Sequence, residues 1–179
     1  SDHRVTPSGS CAHRVRGHRT AIEQTDAVRA VRQSTHELVE FLHDVLEVHA
    51  YPWAEFRHKA GLHIGCSTLR ALREAKTSEI DEPAFNKPAR RLNAVKGIKR
   101  VAPQRPEECC GLGGTFSVFE EPVSAKMGYD KVHDHHDAGA EYIVTTDMSC
   151  AMHQRGCAER IGLPLKFIHI AQVLNGARE

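Results

Sequence analysis

Hydrophobic positions recur at helical spacing in the first third of the chain. Between residues 24 and 48 they fall on one face, which predicts a long amphipathic helix. The apolar residues of that face are Val28, Val31, Leu38, Phe41, Leu42, Val45 and Leu46. Pro52 lacks a backbone donor and restricts Tyr51 before it, so we expect the helix to end there.

Beyond this helix, short apolar runs alternate with helical stretches. The runs predict strands at 59–64, 98–101, 141–145 and 166–170. The predicted helices cover residues 68–75, 122–138, 151–161 and 171–175. The charged stretch 73–93 contains two prolines and predicts an irregular surface segment.

The order of these elements decides the fold class. Strands that alternate with helices favour a parallel sheet with right-handed crossovers. The sequence therefore predicts an α/β fold with a short, mainly parallel sheet of about four strands and flanking helices. The long N-terminal amphipathic helix precedes that sheet.

Four cysteines lie in the loops that follow the predicted strands. Cys66 follows the first strand, Cys109 and Cys110 follow the second, and Cys150 follows the third. Open parallel sheets bind ligands at the carboxyl edge, so these thiols are expected to converge. Thiolates select zinc or iron–sulfur clusters, although the paired knuckles of a structural zinc site are missing. A cluster, a zinc ion and a metal-free redox dithiol all remain open.

Residues beside these cysteines add further candidates. Gly111, Gly113 and Gly114 allow the backbone to fold closely around a bulky group. They lack the dinucleotide fingerprint and a P-loop lysine, so packing around a cluster explains them more simply than phosphate binding. His63 lies three residues before Cys66 and is a candidate ligand or, more simply, a group that tunes a cysteine sulfur by hydrogen bonding.

Two other groups are weaker candidates. Cys157 lies seven residues after Cys150 and can share its helix face, but a small helical residue is the simpler interpretation. The run His133-Asp134-His135-His136-Asp137 falls late in a predicted helix, where neighbouring side chains point in different directions. We interpret that run as a solvated helix end.

The composition excludes several partner classes. The 179 residues include 24 basic and 23 acidic ones, which gives a net charge of +1 and no field for nucleic acid or anionic membrane. There is no apolar run of about 18 residues that could span a bilayer. The six cysteines fit reduced thiols in an α/β sequence better than a disulfide framework. We expect a soluble, cytoplasmic protein, attached to a membrane at most through a partner.

A short internal similarity links the start of the chain to the last candidate cysteine. Ser10-Cys11-Ala12 and Ser149-Cys150-Ala151 both precede a helical stretch. We interpret them as traces of an internal repeat. Coincidence of small residues around a buried cysteine is the alternative.

At these residues the sequence resembles the cysteine-rich CCG domain family. This family includes the B subunit of heterodisulfide reductase and the iron–sulfur subunits of glycolate and lactate oxidation. The matching blocks are 7–11, 63–66 with 69–70, 108–116, 127 with 130–132, 147–150 and 167–174. The resemblance implies a site for a four-iron cluster, which is non-cubane in heterodisulfide reductase.

The family motif contains a cysteine, then Cys-Cys-Gly, then Cys-x-x-Cys. Cys66, Cys109, Cys110 and Cys150 match its first four cysteines, and His153 stands where the fifth is expected. The resemblance therefore implies these five residues as metal ligands, with a smaller cluster or zinc as alternatives. Cys11 matches the late cysteine of a first repeat. This implies that 1–56 is a remnant of that repeat with connecting helices and that 57–179 is a CCG domain.

The resemblance also implies a function. It indicates an iron–sulfur subunit of an oxidoreductase complex that passes electrons from a small 2-hydroxy acid, lactate or glycolate, to an acceptor. No flavin or nicotinamide motif is present, so other subunits of the complex would remove the hydride and no catalytic residue is assigned here. The alternatives are a zinc-stabilised interaction module and a thiol–disulfide enzyme that uses Cys109 or Cys110.

Overall fold

A computed structural model describes residues 2–17 and 21–176 of the chain. Its strands are β1 (Arg4–Thr6), β2 (Thr35–Glu37), β3 (Lys59–His63), β4 (Lys99–Val101), β5 (Tyr142–Thr145) and β6 (Lys166–His169). The first α-helices are α1 (Gly9–Gly17), α2 (Asp26–Gln33), α3 (Leu38–Glu40) and α4 (Lys87–Asn93). The others are α5 (Phe116–Phe119), α6 (Glu121–Asp137), α7 (Met148–Arg160) and α8 (Ile170–Leu174). Two π-helical turns, π1 (Phe41–Val45) and π2 (Ser67–Ala71), follow α3 and β3.

The four later strands form one parallel sheet in the order β4-β3-β5-β6. Gly61 of β3 aligns with Val101 of β4 on one side and with Ile143 of β5 on the other. This arrangement confirms the α/β class and the four-stranded sheet that the alternation of strands and helices predicts. All four residues of β5 are buried, as expected for a central strand covered on both faces.

Helices cover the two faces of this sheet. Alternate residues of β5 belong to different core clusters, because successive side chains of a strand point to opposite faces. Val144 packs with Leu62, Leu92 and Ile170, whereas Ile143 packs with a cluster built from α6, α7 and β6. None of the helices in the described ranges is long and apolar enough to cross a membrane.

The N-terminal region differs from the single helix predicted for 24–48. The helix α2 ends at Gln33, where the hydroxyl of Ser34 donates to the carbonyl of Ala30 and ends the turn. Strand β2 follows and pairs in parallel with β1 to form a separate two-stranded sheet. Glu37 then starts α3 as a side-chain cap. The prediction of one long helix is therefore wrong, because pairing with β1 outweighs the helical spacing of apolar residues.

The predicted irregular segment 73–93 also needs a correction. Its last part forms α4, which is capped by Asn86, whose side chain accepts the backbone N–H of Ala89. Pro88 lies in the first turn of this helix, where proline has no intrahelical partner to lose and is well tolerated. The prediction of an irregular segment is therefore wrong for residues 87–93, because Pro88 starts this helix and does not break it.

Candidate metal centre

Thiols from three loops meet at the carboxyl edge of the sheet. One possible ligand atom from each of His63, Cys110 and Cys150 lies within 4.8 Å of the other two. The thiol of Cys109 makes hydrogen-bond contacts with those of Cys110 and Cys66. All six cysteines carry free thiols. The structure thus brings the four predicted cysteines together with one histidine.

The loop after β3 is tied to the loop after β5. The backbone N–H of Gly65 donates to the hydroxyl of Thr146 at 3.1 Å, and that hydroxyl contacts the hydroxyl of Thr68 at 3.4 Å. A Cβ atom on Gly65 would lie 3.8 Å from the sulfur of Cys150. These contacts hold Cys66, at the start of π2, beside Cys150.

The Cys-Cys-Gly loop is held on both sides of the cysteine pair. Before it, the carboxylate of Glu107 accepts the backbone N–H and the hydroxyl of Ser78, and Arg70 donates to the carbonyl of Glu107. After it, Gly111 has a φ of +92°, a backbone conformation that side-chain-bearing residues rarely adopt. A Cβ atom there would lie 2.5 Å from the carbonyl oxygen of Ser124. The turn therefore requires glycine.

Cys150 lies in the first turn of α7, and Asp147 caps that turn. The carboxylate of Asp147 accepts the backbone N–H of Ser149 at 3.0 Å. It also accepts the hydroxyls of Ser8 at 2.5 Å and Ser10 at 2.8 Å. The segment before α1 is therefore part of the support of Cys150. The sequence predicted neither Asp147 nor the two serines, although an Asp before Ser-Cys is an N-cap signal.

Hydrogen bonds among the thiols shift their pKa values in opposite directions. Hydrogen bonds from the thiols of Cys110 and Cys66, and from the backbone N–H of Gly111, hold the pKa of Cys109 well below its usual value. The pKa of Cys66 is raised, first by its hydrogen bond to Cys109 and then by burial. The same two causes, with the contact to Cys150, raise the pKa of Cys110.

His63 has the properties of an available ligand. Its side chain is fully buried, and neither ring nitrogen has a hydrogen-bond partner among the described residues. Burial, with the nearby charge of Lys131, lowers the pKa of His63 to about 3, which keeps the imidazole neutral. A neutral buried ring with both nitrogens unpaired is suited to metal coordination. The group of His63, Cys110 and Cys150 can therefore bind a metal ion.

His153 lies apart from that group. Its Nε2 atom is 3.3 Å from the carbonyl oxygen of Ser124 on α6 and 4.0 Å from the sulfur of Cys157. The two helices cross at Gly128, where a Cβ atom would lie 2.4 Å from that sulfur. The structure thus places His153 and Cys157 at a helix crossing and does not bring His153 into the group with His63.

The run of histidines and aspartates late in α6 is only partly a solvated helix end. His133, His136 and Asp137 are exposed, but Asp134 and His135 are buried. A Cβ atom on Gly61 would lie 2.3 Å from the Nδ1 atom of His135, so the ring packs directly on β3. The interpretation as a solvated end is therefore wrong for these two residues, because one face of α6 packs against the sheet and the loop before Cys109.

Comparison with known proteins defines the class of this protein. Residues 60–155 match the model of the cysteine-rich domain, abbreviated CCG, and this range contains the four cysteines and His63. The match covers more than half of the chain. The chain belongs to the cysteine-rich CCG domain family.

Curated relatives extend the similarity over the whole chain. Lactate utilization protein A of Geobacillus thermodenitrificans (strain NG80-2) is 34% identical over 179 residues, covering 98% of this chain and 70% of the relative. Lactate utilization protein A 1 of Bacillus mycoides (strain KBAB4) is 35% identical over 184 residues, covering 100% and 71%. Lactate utilization protein A of Lysinibacillus sphaericus (strain C3-41) is 32% identical over 179 residues, covering 98% and 74%.

Proposed function

We propose that this protein is the iron–sulfur subunit of an oxidoreductase complex that passes electrons from a small 2-hydroxy acid to an acceptor. The observation that carries the proposal is the convergence of four thiols and one unpartnered, buried imidazole at the edge of the sheet. Lactate is the leading substrate of the complex, and glycolate the second, because the relatives above are named for lactate utilization.

The residues present fit such a cluster. Thiolates are the usual ligands of iron–sulfur clusters, and one cluster type also uses histidine. In this proposal Cys66, Cys109, Cys110 and Cys150 hold a four-iron cluster, cubane or non-cubane. His63 or His153 supplies the position of the fifth cysteine, and the unpaired nitrogens of His63 favour His63. When bound, the cluster supplies one-electron transfer.

The protein's own residues bind and shield the group. Cys110 is only 1% exposed, and burial around the sulfurs is one of the properties that set a cluster's potential. Gly111, Gly113 and Gly114 let the loop fold closely over the site, and all three have positive φ. No residue here is proposed to remove hydride from the substrate, so that step belongs to other subunits of a lactate or glycolate oxidation complex.

We further propose that residues 1–56 are a partial first repeat and that 57–179 form the CCG domain. In both regions a helix with Ser-Cys-Ala in its first turn follows the first strand of a parallel pair, namely in β1-α1-α2-β2 and in β5-α7-β6, although the first region has the additional helix α2 before its second strand. In both, the second strand ends in a capping box, made by Glu37 with Glu40 and by His169 with Gln172. This likeness supports an origin of the first region as the latter half of a CCG repeat.

A zinc site is the second candidate. It is favoured by the group of His63, Cys110 and Cys150, because zinc is bound tetrahedrally by nitrogen and sulfur. In that case the protein is a zinc-stabilised interaction module with no role in electron transfer. A thiol–disulfide enzyme is the third, and the thiolate at Cys109 favours it.

Metal analysis tests these candidates. Iron, zinc and acid-labile sulfide are measured on protein purified without oxygen, for wild type, Cys110→Ala and the control Cys157→Ala. Iron with matching sulfide, lost in Cys110→Ala and retained in Cys157→Ala, supports the cluster. Zinc without sulfide overturns electron transfer and favours the zinc module, and protein free of metal favours thiol chemistry.

A further inference from the structure

Two buried side chains of α6 hold the segment that leads into the cysteine pair. The Nζ atom of Lys131 donates to the carbonyl oxygen of Arg105 at 2.5 Å and contacts that of Pro106 at 3.4 Å. One turn later, the carboxylate of Asp134 accepts the backbone N–H groups of Gln104 at 2.8 Å and Arg105 at 2.9 Å. The backbone of residues 104–106, which leads into Cys109, is therefore held by two side chains of α6.

Lys131 also places a positive charge beside the segment that leads into Cys109. It is 1% exposed and is the only buried lysine in the part of the chain that the structure describes. Its direct hydrogen-bond partners are neutral carbonyls, and a buried charge without an ionic partner is costly. Such a cost is reduced where negative charge lies close by.

The charge of Lys131 also influences the pKa values of groups at the candidate metal centre. Burial lowers the pKa of Lys131, while Asp134, Glu108 and the thiol of Cys110 oppose that shift. Lys131 likewise contributes to the lowered pKa of His63. Of these groups, Cys110 and His63 belong to the candidate centre itself. These directions agree with the geometry, because the carbonyls that Lys131 contacts belong to the segment that leads directly into Cys109 and Cys110.

We infer that Lys131 is a positioning residue whose buried positive charge offsets the thiolate charge of the metal centre and favours reduction of the group bound there. The inference rests on the proposed function, that the four thiolates hold a redox cluster. Reduction adds negative charge to the site, and a fixed cation in a low-dielectric interior stabilises that charge. Asp134, by contrast, carries a negative charge and holds the loop through the backbone N–H groups of Gln104 and Arg105.

Four variants of the full chain, purified without oxygen, separate the two roles. Lys131→Met removes the charge and the donor, and Lys131→Gln removes the charge but retains an N–H donor. Asp134→Ala releases the loop and leaves the ammonium in place. Lys126→Met is the matched control, because Lys126 lies on the same helix but is exposed and pairs with Asp130.

The readouts are the midpoint potential of the bound cluster and the rate of iron loss to a chelator. Both Lys131 variants should lower the potential, with at least a tenfold change in the preference for the reduced state, which is about 59 mV for one electron. Asp134→Ala should lose iron at least fivefold faster, while the potential of the retained cluster should not fall below that of wild type, because this variant removes a negative charge and not a positive one. Lys126→Met should match wild type in both.

A wild-type potential in both Lys131 variants overturns the charge role, even if iron is lost faster. Lys131→Gln keeps this outcome decisive if Lys131→Met does not fold. If wild type holds zinc instead of a cluster, the proposed function fails, and the inference is judged on zinc affinity. If the zinc affinity of Lys131→Gln is less than tenfold weaker than that of Lys126→Met, the inference is overturned. Wild-type protein that binds no metal overturns both.

Discussion

Two units of this protein, β1-α1-α2-β2 and β5-α7-β6, each pair two parallel strands around a helix that carries a cysteine, but they differ in the surroundings of that cysteine. Cys11 and Cys150 occupy corresponding positions in the first turn of α1 and α7. Cys150 meets Cys110 and His63, whereas Cys11 is exposed to solvent. The difference arises from the neighbouring strands, since β3 and the loop after β4 bring ligands only to the second pair. A cysteine at this position becomes part of a centre only when the adjoining loops supply the rest.

The largest expected effect separates these two cysteines. Cys150→Ala should lose most of the bound metal, because it removes one of the converging sulfurs, and Cys11→Ala should retain the wild-type content. Metal analysis on protein purified without oxygen measures both. Equal loss in Cys11→Ala would show that the two cysteines serve one centre and that the contrast between the regions is wrong.

A smaller effect is expected at Asp147, the cap of α7, and at Ser8, which donates to it. Asp147→Ala removes the cap of α7 and the acceptor of Ser8 and Ser10, so it should lower the free energy of unfolding by about 2 kcal/mol. Ser8→Ala removes one of these hydrogen bonds and should cost about 0.5–1 kcal/mol. Urea unfolding of the metal-free protein measures both. An Asp147→Ala variant as stable as Ser8→Ala would contradict the central position of this carboxylate.

The two regions also differ in their response to pH. Glu37, at the end of β2, lies against Glu74, and both carboxyls are fully buried. Burial raises the pKa of Glu37 to about 7. Burial, with the neighbouring Glu37 and Glu40, raises the pKa of Glu74 to about 10, and Lys87 opposes this shift. The corresponding residue of the second region is His169, which has no such carboxyl pair in its capping box.

The sign of the pH dependence follows from these shifts. Above pH 4.5 the unfolded carboxyls release protons that the folded pair retains, so the stability that this pair contributes is largest below that value. It should fall as pH rises toward 7 and, for Glu74, toward 10. Glu74→Gln should flatten the profile and stabilise the protein at pH 8 by on the order of 1–2 kcal/mol. Urea unfolding from pH 5 to 8 measures this, and an unchanged slope in the variant would refute the carboxyl pair as its source.

The smallest effect is expected at the cap of α8. The Nδ1 atom of His169 accepts the backbone N–H of Ala171 at 3.1 Å. His169→Ala should cost about 0.5–1 kcal/mol, and His169→Asn should recover most of it, because asparagine is a good N-cap. Thermal unfolding compares the two. Equal stability of the two variants would show that the ring acts by packing and not as a cap.

Much of the architecture was predictable because its causes are local. The four later strands and the helices α6 and α7 follow from short apolar runs and helical periodicity. The convergence of the cysteines follows from their position after parallel strands. In contrast, the helical spacing of Val31, Leu38 and Leu42 continues across β2, so nothing local shows the break. The pairing of Thr35 with Arg4, distant in sequence, decides it.

The sequence predicts the convergence of the cysteines at the candidate site, but it does not predict the residues that surround them. The motif spacing pointed to His153, but the turn of α7 directs that ring toward Ser124 on α6. Lys131 and Asp134 looked like ordinary polar residues of a surface helix. Their burial depends on the loop 104–106, which lies about 30 residues earlier in the chain. Periodicity cannot show which loop a helix face will cover.

The contact between Ser8 and Asp147 also bears on the order of assembly. It joins residues that are 139 positions apart, and it supports the helix turn that carries Cys150. Contacts of such long range form late in folding, because the entropy of closing a long loop must first be overcome. The complete environment of Cys150 therefore arises only after the segment near Ser8 docks. Metal loading should accordingly follow tertiary folding and not the synthesis of either region alone.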